Sequence, residues 1–366
     1  MKLSKSVNKY WFSYFFVKLF YMFFALFVFT KFTNPNRMVG DVALYLRGDM
    51  SDSWHLIFTD STIMLEFFGK YCSIFLGPIF ANLPFVLISF YGIFYSISKI
   101  QLTNNQLVWA LFLLSLPSFG VYSSVIGKEA VSVFYMGIIC GYLIDVLNKT
   151  RIKPKLIDLL AFYLLFLFTP YFFLAISNVF IFILISNKFH LKGYGKMILL
   201  ILNILFIIFL LYILRDVINN LSFEVVKHFS PDARSTRENI FFVNNYDIFW
   251  NAPYGMFIAF WGPTFEEILQ KPIQSIAFIE SLIIFCFFLF FISKLLVKIL
   301  KTSRLNIYAF SLKFIALFWI LFVHYPSGVL NPGSALRYRE RFYGFLIVFL
   351  FYLYLKYIKK DQRLEI

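Results

Sequence analysis

Charge is scarce in this 366-residue sequence: Asp, Glu, Lys and Arg together make up 14% of it, against 60% hydrophobic residues. A soluble domain carries about 25% charged and about 45–50% apolar residues. An ordinary water-soluble fold is therefore excluded, and the mean hydropathy of +0.76 agrees. Cysteine is almost missing. The three present, Cys72, Cys140 and Cys286, fall in apolar segments, where a thiol behaves as a small hydrophobe, so neither a disulfide framework nor a thiolate metal site is expected. Separable linkers, internal repeats and low-complexity tails are also lacking. Apolar runs recur from end to end, which predicts one integral membrane domain over residues 1–366 rather than a soluble domain with an anchor. Residues 10–30 follow Lys2, Lys5 and Lys9 in the manner of a signal peptide, but no small-x-small cleavage site stands at Phe29-Thr30-Lys31-Phe32. An uncleaved first span is expected. The 52 phenylalanines exceed what packing requires; with the lysine bias they look like AT-rich codon usage, and no function is read from them.

A helix needs about 20 apolar residues to cross about 30 Å of hydrocarbon. About ten segments meet or approach that length, near 10–30, 72–98, 106–124, 129–147, 156–169, 171–187, 197–214, 274–297, 305–324 and 341–358. The run from Leu156 to Asn187 is too long for one crossing and is broken by Thr169-Pro170, where the missing amide donor favours two helices over one kinked helix. With ten spans, most Lys and Arg fall in short segments on the side of both termini, which the positive-inside rule makes cytoplasmic. The two cations then separate. Of 23 lysines 16 lie inside, whereas eight of 11 arginines lie outside: Arg37, Arg47, Arg215, Arg234, Arg237, Arg337, Arg339 and Arg341. Lysine alone satisfies the topology. Arginine against that rule needs another reason, and its planar fork, which grips phosphate or carboxylate with two parallel bonds, supplies one. Fourteen of the 19 acidic residues also lie outside, so some of these arginines are expected to pair with them.

Four outer segments hold the candidate chemistry. In the first loop Asp41 and Asp49 flank Arg47, and either carboxylate could serve as a general base near the membrane surface; solvated acidic turns are the plain alternative. The second places Lys128-Glu129 where a span begins, after Ser123, Ser124 and Gly127. Charges there either anchor the helix or face a polar cavity. The third is the long loop 215–273, with an amphipathic stretch from Val217 to Phe229, then Arg234 and Arg237, then an aromatic, proline-broken stretch from Trp250 to Phe265 that suits the interface. The fourth runs from His324 to Arg341. Its alternating Arg337, Arg339 and Arg341 after an Asn-Pro-Gly turn are the strongest single signal, an anion cradle rather than a plain interfacial anchor. If the last helix starts early, Arg337 and Arg341 share a face and Arg339 points elsewhere. Within the spans, Lys18 and Lys313 are expected to snorkel, and Glu280 either serves function or pairs with a neighbouring helix.

Gly40-Asp41, Pro117-Ser118-Phe119 with Gly127-Lys128-Glu129, Thr169-Pro170-Tyr171 and Asn331-Pro-Gly-Ser-Ala-Leu-Arg337-Tyr338-Arg339, set in this span-and-loop layout, resemble the O-antigen polymerase family of bacterial surface polysaccharide assembly. The resemblance implies an all-α, GT-C-like polytopic membrane protein in the bacterial inner membrane with one large outer loop. It implies a metal-independent inverting glycosyltransferase, without cofactor, acting on undecaprenyl-diphosphate-linked glycans. A chain-length regulator and a flippase would be its protein partners. On that reading Arg337, Arg339 and Arg341 hold the donor diphosphate, with Arg337 also catalytic, Arg234 or Arg237 with Lys128 hold the second lipid-linked unit, Arg47 is a further diphosphate-binding candidate, and Asp41, Asp49 or Glu129 is the base.

Other classes compete. A flippase for the lipid-linked repeat would share the anionic cargo, but it should show repeated halves and charges lining a path through the spans. A glycosyltransferase adding one sugar from a polyprenyl-phosphate carrier stands nearer, with Asp41 as base. A membrane O-acyltransferase has only His324 at a span end to support it. Nucleic acid is not an expected partner, since the +15 net charge is mostly the lysines that orient the helices.

Overall fold

A computed structural model describes residues 5–29, 41–47, 54–191, 194–228, 237–270, 272–301 and 307–356. Helices fill it, and no strand occurs among the described residues. The chain divides into two compact units, one of residues 1–170 with 340–366 and the other of residues 171–339.

The first unit begins with α1 (Lys5–Phe24), which runs on through a π-helical turn to Phe29, and the short α2 (Val42–Arg47). Then come α3 (Ser61–Phe80), α4 (Leu83–Ile97), α5 (Asn104–Leu113), α6 (Pro117–Tyr122), α7 (Lys128–Leu147) and α8 (Leu156–Phe168). Local chemistry sets these boundaries. The Asp60 carboxylate accepts the Thr62 and Ile63 amides at 2.6 and 3.2 Å and starts α3, a cap of the kind that contributes about 1 kcal/mol. Near its end Gly77 takes φ 76 ahead of Pro78. The expected span 72–98 is two helices, α3 ending at Phe80 and α4 opening at Leu83 after Asn82, and α3 reaches back to Ser61, into residues expected to be loop. The expected span 106–124 is likewise not a single helix. Leu116 is extended, and Pro117, which cannot donate, opens the separate α6. At the Leu156–Asn187 run the expectation of two helices holds: α8 ends at Phe168, Thr169 leaves the helical region, and a new helix opens at Pro170.

Within this unit α7 is central, 89% buried over its apolar window. It meets α4 through two glycines. A Cβ on Gly92 would sit 2.6 Å from the Phe134 Cα, and one on Gly137 would collide with the Gly92 carbonyl. Small residues let backbones approach this closely where lipid supplies no hydrophobic drive between helices.

The second unit holds α9 (Pro170–Lys188, from its second residue), α10 (Tyr194–Ile213), α11 (Arg215–His228), α12 (Asp247–Trp250), α13 (Ala252–Trp261), α14 (Phe265–Gln270), α15 (Ser275–Lys301) and α16 (Ile307–Val329). The loop expected at 215–273 is therefore largely helical where described, and the amphipathic stretch read at Val217–Phe229 is α11. The aromatic stretch is α13, and it is packed: Ala252, Ile258 and Ala259 share a core with Phe241, Phe242, Tyr325 and Val329. The Tyr325 ring fills the space that a side chain on Gly255 would need. Last comes α17 (Pro332–Tyr354). Its residues through Arg339 belong to the second unit and those from Glu340 to the first. There the Tyr343 hydroxyl donates to the Leu113 carbonyl at 3.1 Å, and the Tyr352 hydroxyl donates to Asn148 Oδ1 at 2.8 Å.

Among the described residues six helices are long and apolar enough to cross a membrane: Lys9–Phe29, Ser61–Phe80, Lys128–Leu147, Pro170–Lys188, Tyr194–Ile213 and Ser275–Lys294. Leu83–Ile97 and Leu156–Phe168 are shorter apolar helices. Along α10 only 6% of the apolar window is buried, leaving Ile201, Leu202, Phe206, Ile208 and Phe209 exposed. A helix so apolar and so uncovered is at home in lipid and not in water. The chain is an all-α protein with the helices of a membrane protein.

Candidate functional site

Two arginines two residues apart on α17 end in different surroundings. Arg341, in the first unit, donates through Nε and Nη2 to Glu129 Oε1 at 3.3 and 3.0 Å. Glu129 stands in the first turn of α7 and is 2% exposed, so the pair is nearly dry on the carboxylate side. Next to it Lys128 Nζ donates to Thr62 Oγ1 at 2.9 Å. The charges acting on Lys128 are Arg341, Asp60, Glu129 and Asp41. Four residues singled out in the sequence, Asp41, Lys128, Glu129 and Arg341, thus form one mixed-sign cluster drawn from the start of α2, the start of α7 and the third turn of α17.

The backbone supports this cluster. Asp41 precedes α2, its carbonyl accepts the Tyr45 amide at 3.1 Å, and its carboxylate lies 3.5 Å from the Tyr45 hydroxyl. Gly69 on α3 lets the Tyr45 backbone and Ile126 come so close that a Cβ there would collide with both. Gly127 opens α7, and a Cβ on it would lie 3.0 Å from Glu129 Oε2. The Ile126 amide is held by Asn82 Oδ1 at 2.9 Å. Lower on α7 a hydroxyl chain follows: Ser132 Oγ donates to the Lys128 carbonyl at 2.6 Å, lies 2.7 Å from the Tyr135 hydroxyl, and that hydroxyl lies 3.0 Å from Thr169 Oγ1.

Lys18 departs from its expected role. Rather than snorkelling it is 1% exposed, and its ammonium donates to Ser123 Oγ at 2.7 Å and the Ser123 carbonyl at 3.1 Å. The Ser123 carbonyl also accepts Ser89 Oγ at 2.7 Å. Of the two serines that precede Lys128, Ser123 serves Lys18, and Ser124 is fully buried with no hydrogen-bond partner for its hydroxyl among the described residues. Sequence reasoning missed Lys18 as a buried cation because snorkelling depends on what stands beside the side chain, and Ser123 is 105 residues away. The side chain of Lys313 lies outside the described residues.

In the second unit Arg339 and Arg237 are engaged structurally. Arg339 is 0% exposed. It lies 3.6 Å from Glu280 and donates to Ser281 Oγ at 2.9 Å and the Phe260 carbonyl at 3.1 Å. Of the two readings of Glu280, pairing with a neighbouring helix is the one found. Arg237 grips both oxygens of Glu267 at 2.5 and 3.0 Å and donates to the Gly328 and Val329 carbonyls at 3.3 and 2.8 Å. Burial alone would raise the Glu267 pKa. The Arg237 bond and charge and the Thr264 amide outweigh it, and the net shift is downward. His324 Nε2 lies 3.1 Å from the Ala259 carbonyl.

Arg337 is part-buried on α17, one turn before Arg341 on the same helix face, as an early helix start requires. Arg47 ends α2 exposed. Asp49 and Arg234 lie outside the described residues. Among the described residues no three His, Cys, Asp or Glu side chains group closely enough to hold a metal ion. The cluster around Lys128 and Arg341 can instead offset an anion's charge while neighbouring carboxylates accept a proton. Compared with protein-family models, curated proteins and solved structures, the chain matches none.

Proposed function

We propose that this chain is an inverting, metal-independent glycosyltransferase that polymerises undecaprenyl-diphosphate-linked oligosaccharide repeats into O-antigen or a related surface polysaccharide. In this reading it has about ten spans of GT-C-like arrangement in the bacterial inner membrane, both termini cytoplasmic and the reaction at the periplasmic face. One observation carries it: Asp41, Lys128, Glu129 and Arg341 share one charged cluster although they come from distant parts of the sequence. Asp41, Lys128 and Glu129 are also positions on which the likeness to O-antigen polymerases rests.

A diphosphate is already a good leaving group, so cations that offset its developing charge supply most of the help. In the proposed reaction a hydroxyl oxygen of the incoming repeat attacks the anomeric carbon of the donor chain from the face opposite the diphosphate. The bond from that carbon to the diphosphate oxygen breaks, and its electron pair leaves with the oxygen. Arg341 and Lys128 face that charge. Asp41 takes the hydroxyl proton. Glu129, buried and bonded to Arg341, orients the guanidinium.

The test is replacement of Arg341 by Ala and by Lys in the native host, with the lipopolysaccharide ladder as readout. Arg341→Ala should abolish the ladder, a fall of about 100-fold or more in polymer. Arg341→Lys should restore a part of it, because lysine keeps the charge and loses the fork. Single-repeat-capped lipid A should accumulate. Loss of all O-antigen, capped core included, would point to a flippase, and an unchanged ladder in both variants would end the proposal.

A further inference from the structure

The second unit carries a cleft of its own, about 480 Å³ in volume, lined by Leu211, Tyr212, Arg215, Tyr246, Phe249 and Trp250. That size lies within the roughly 300–1,000 Å³ of small-ligand sites. Its walls come from the end of α10, the first residue of α11 and the turn into α12. Arg215 lies over the Tyr212 ring, 4.5 Å from its centroid, and 3.8 Å from the Asp216 carboxylate. The Tyr246 hydroxyl donates to Asp216 Oδ1 at 2.6 Å. One end of the cleft therefore presents a guanidinium and a phenol, both held by the adjoining Asp216 carboxylate, and the rest is aromatic and aliphatic.

The turn that presents Tyr246 is held under strain. Tyr246 has φ 66, in the left-handed region, which costs a residue with a side chain on the order of 1 kcal/mol or more. Its amide is gripped by Asn219 Oδ1 at 2.7 Å, and Asn219 Nδ2 donates to Asn245 Oδ1 at 3.2 Å. Asn219 is itself buried. The next residue, Asp247, accepts the Val243 and Asn244 amides at 3.1 and 2.7 Å. This bracing fixes Tyr246 against Asp216 and starts the single turn that carries Phe249 and Trp250. Trp250 is 81% exposed. An indole that only anchors the chain at a membrane interface requires neither the ion pair nor the braced turn.

A pyranose ring has the matching chemistry. Its C–H faces lie flat on indole and phenol rings, and its equatorial hydroxyls donate to a carboxylate and accept from a guanidinium. We propose that this cleft is a glycan subsite holding one or two sugar rings of the substrate chain, an inference that rests on the polysaccharide reading above. Bound there, the chain would be retained between additions, and the cleft would govern polymer length rather than the chemical step.

The test uses the full-length protein in lipid nanodiscs and, as probe, the host's own polysaccharide released from its lipid by mild acid. The probe should change tryptophan fluorescence saturably in the native protein. Trp250→Ala and Arg215→Ala should weaken that response about tenfold or more, and Trp250→Phe should keep most of it, with the unfolding temperature of the Trp250 variants unchanged because that side chain is exposed. In cells Trp250→Ala should shorten the ladder without abolishing it. If Trp250→Ala and Arg215→Ala bind the probe as the native protein does, while Arg341→Ala removes the ladder, the subsite is wrong and the polymerase reading stands. If Arg341→Ala leaves the ladder intact but Trp250→Ala still loses the probe, the cleft stands and that reading falls. Quenching of Trp250 by brominated phospholipid, with no response to the probe, would make the residue an interfacial anchor and overturn the subsite.

Discussion

At the scale of residues, the protein spends its scarce charge in pairs whose members are far apart in sequence. Arg339 and Glu280 are 0% and 1% exposed along their side chains. Removing one partner of such a pair costs about 3–5 kcal/mol, since the other charge is left uncompensated, whereas replacing both with apolar side chains costs far less. Arg339→Met should therefore lower the thermal unfolding temperature in detergent much more than the double variant Arg339→Met with Glu280→Leu. Equal losses would show that the pair contributes through packing alone. The Arg237–Glu267 pair gives a pH dependence. The folded Glu267 pKa is lowered, so its stabilisation is complete above the unfolded carboxylate value of about 4.3 and is lost as pH falls through the lower folded value. The difference in unfolding temperature between the native protein and Glu267→Gln should shrink as pH is brought from about 6 toward about 3. A difference that stays constant across that range would refute the linkage. Neither pair could be assigned from sequence. The intervals are 59 and 30 residues, and nothing in the arginine triplet says that Arg339 turns to a carboxylate on α15 while Arg341 turns to one on α7.

At the scale of elements, the helices that matter most are decided by glycine and proline. Pro117 and Pro170 are visible in the sequence, and both start helices. The break at Thr169 was legible for that reason. The one within residues 72–98 was not, although Gly77-Pro78 stands in the sequence, because the run stays apolar on both sides; Gly77 kinks α3, and the helices divide at Ala81-Asn82. The α4–α7 crossing is the close contact to test. Gly137→Val should destabilise the first unit by about 1–3 kcal/mol, because its Cβ meets backbone that cannot move aside, while Gly137→Ala should cost less. Thermal unfolding of the two variants decides this, and a Val variant as stable as the native protein would show that the helices can separate without penalty. At the far end of α7 a second ion cluster ties the helices: Asp145 pairs with Lys99 at 2.8 Å and Arg151 at 3.1 Å, and Arg151 also pairs with Asp158 at the start of α8.

At the scale of the whole molecule, composition determined the solvent. A chain that is 60% hydrophobic, with a helix like α10 bare along its apolar length, must sit in lipid, and that was readable before any coordinate because it depends only on the sum of side chains. The helical class followed from the same cause, since backbone groups inside a bilayer must satisfy one another within a segment. The sequence also marked Asp41, Lys128, Glu129 and Arg341 as residues in unusual places. What it could not do was choose their neighbours. Ion pairing depends on separations of about 3 Å and on burial, and both arise only when distant helices pack. Tertiary structure alone therefore decided that Arg341 meets Glu129, that Arg237 and Arg339 are held by carboxylates and carbonyls, that Lys18 is buried on Ser123, and that Arg215, Tyr246 and Trp250 line one cleft.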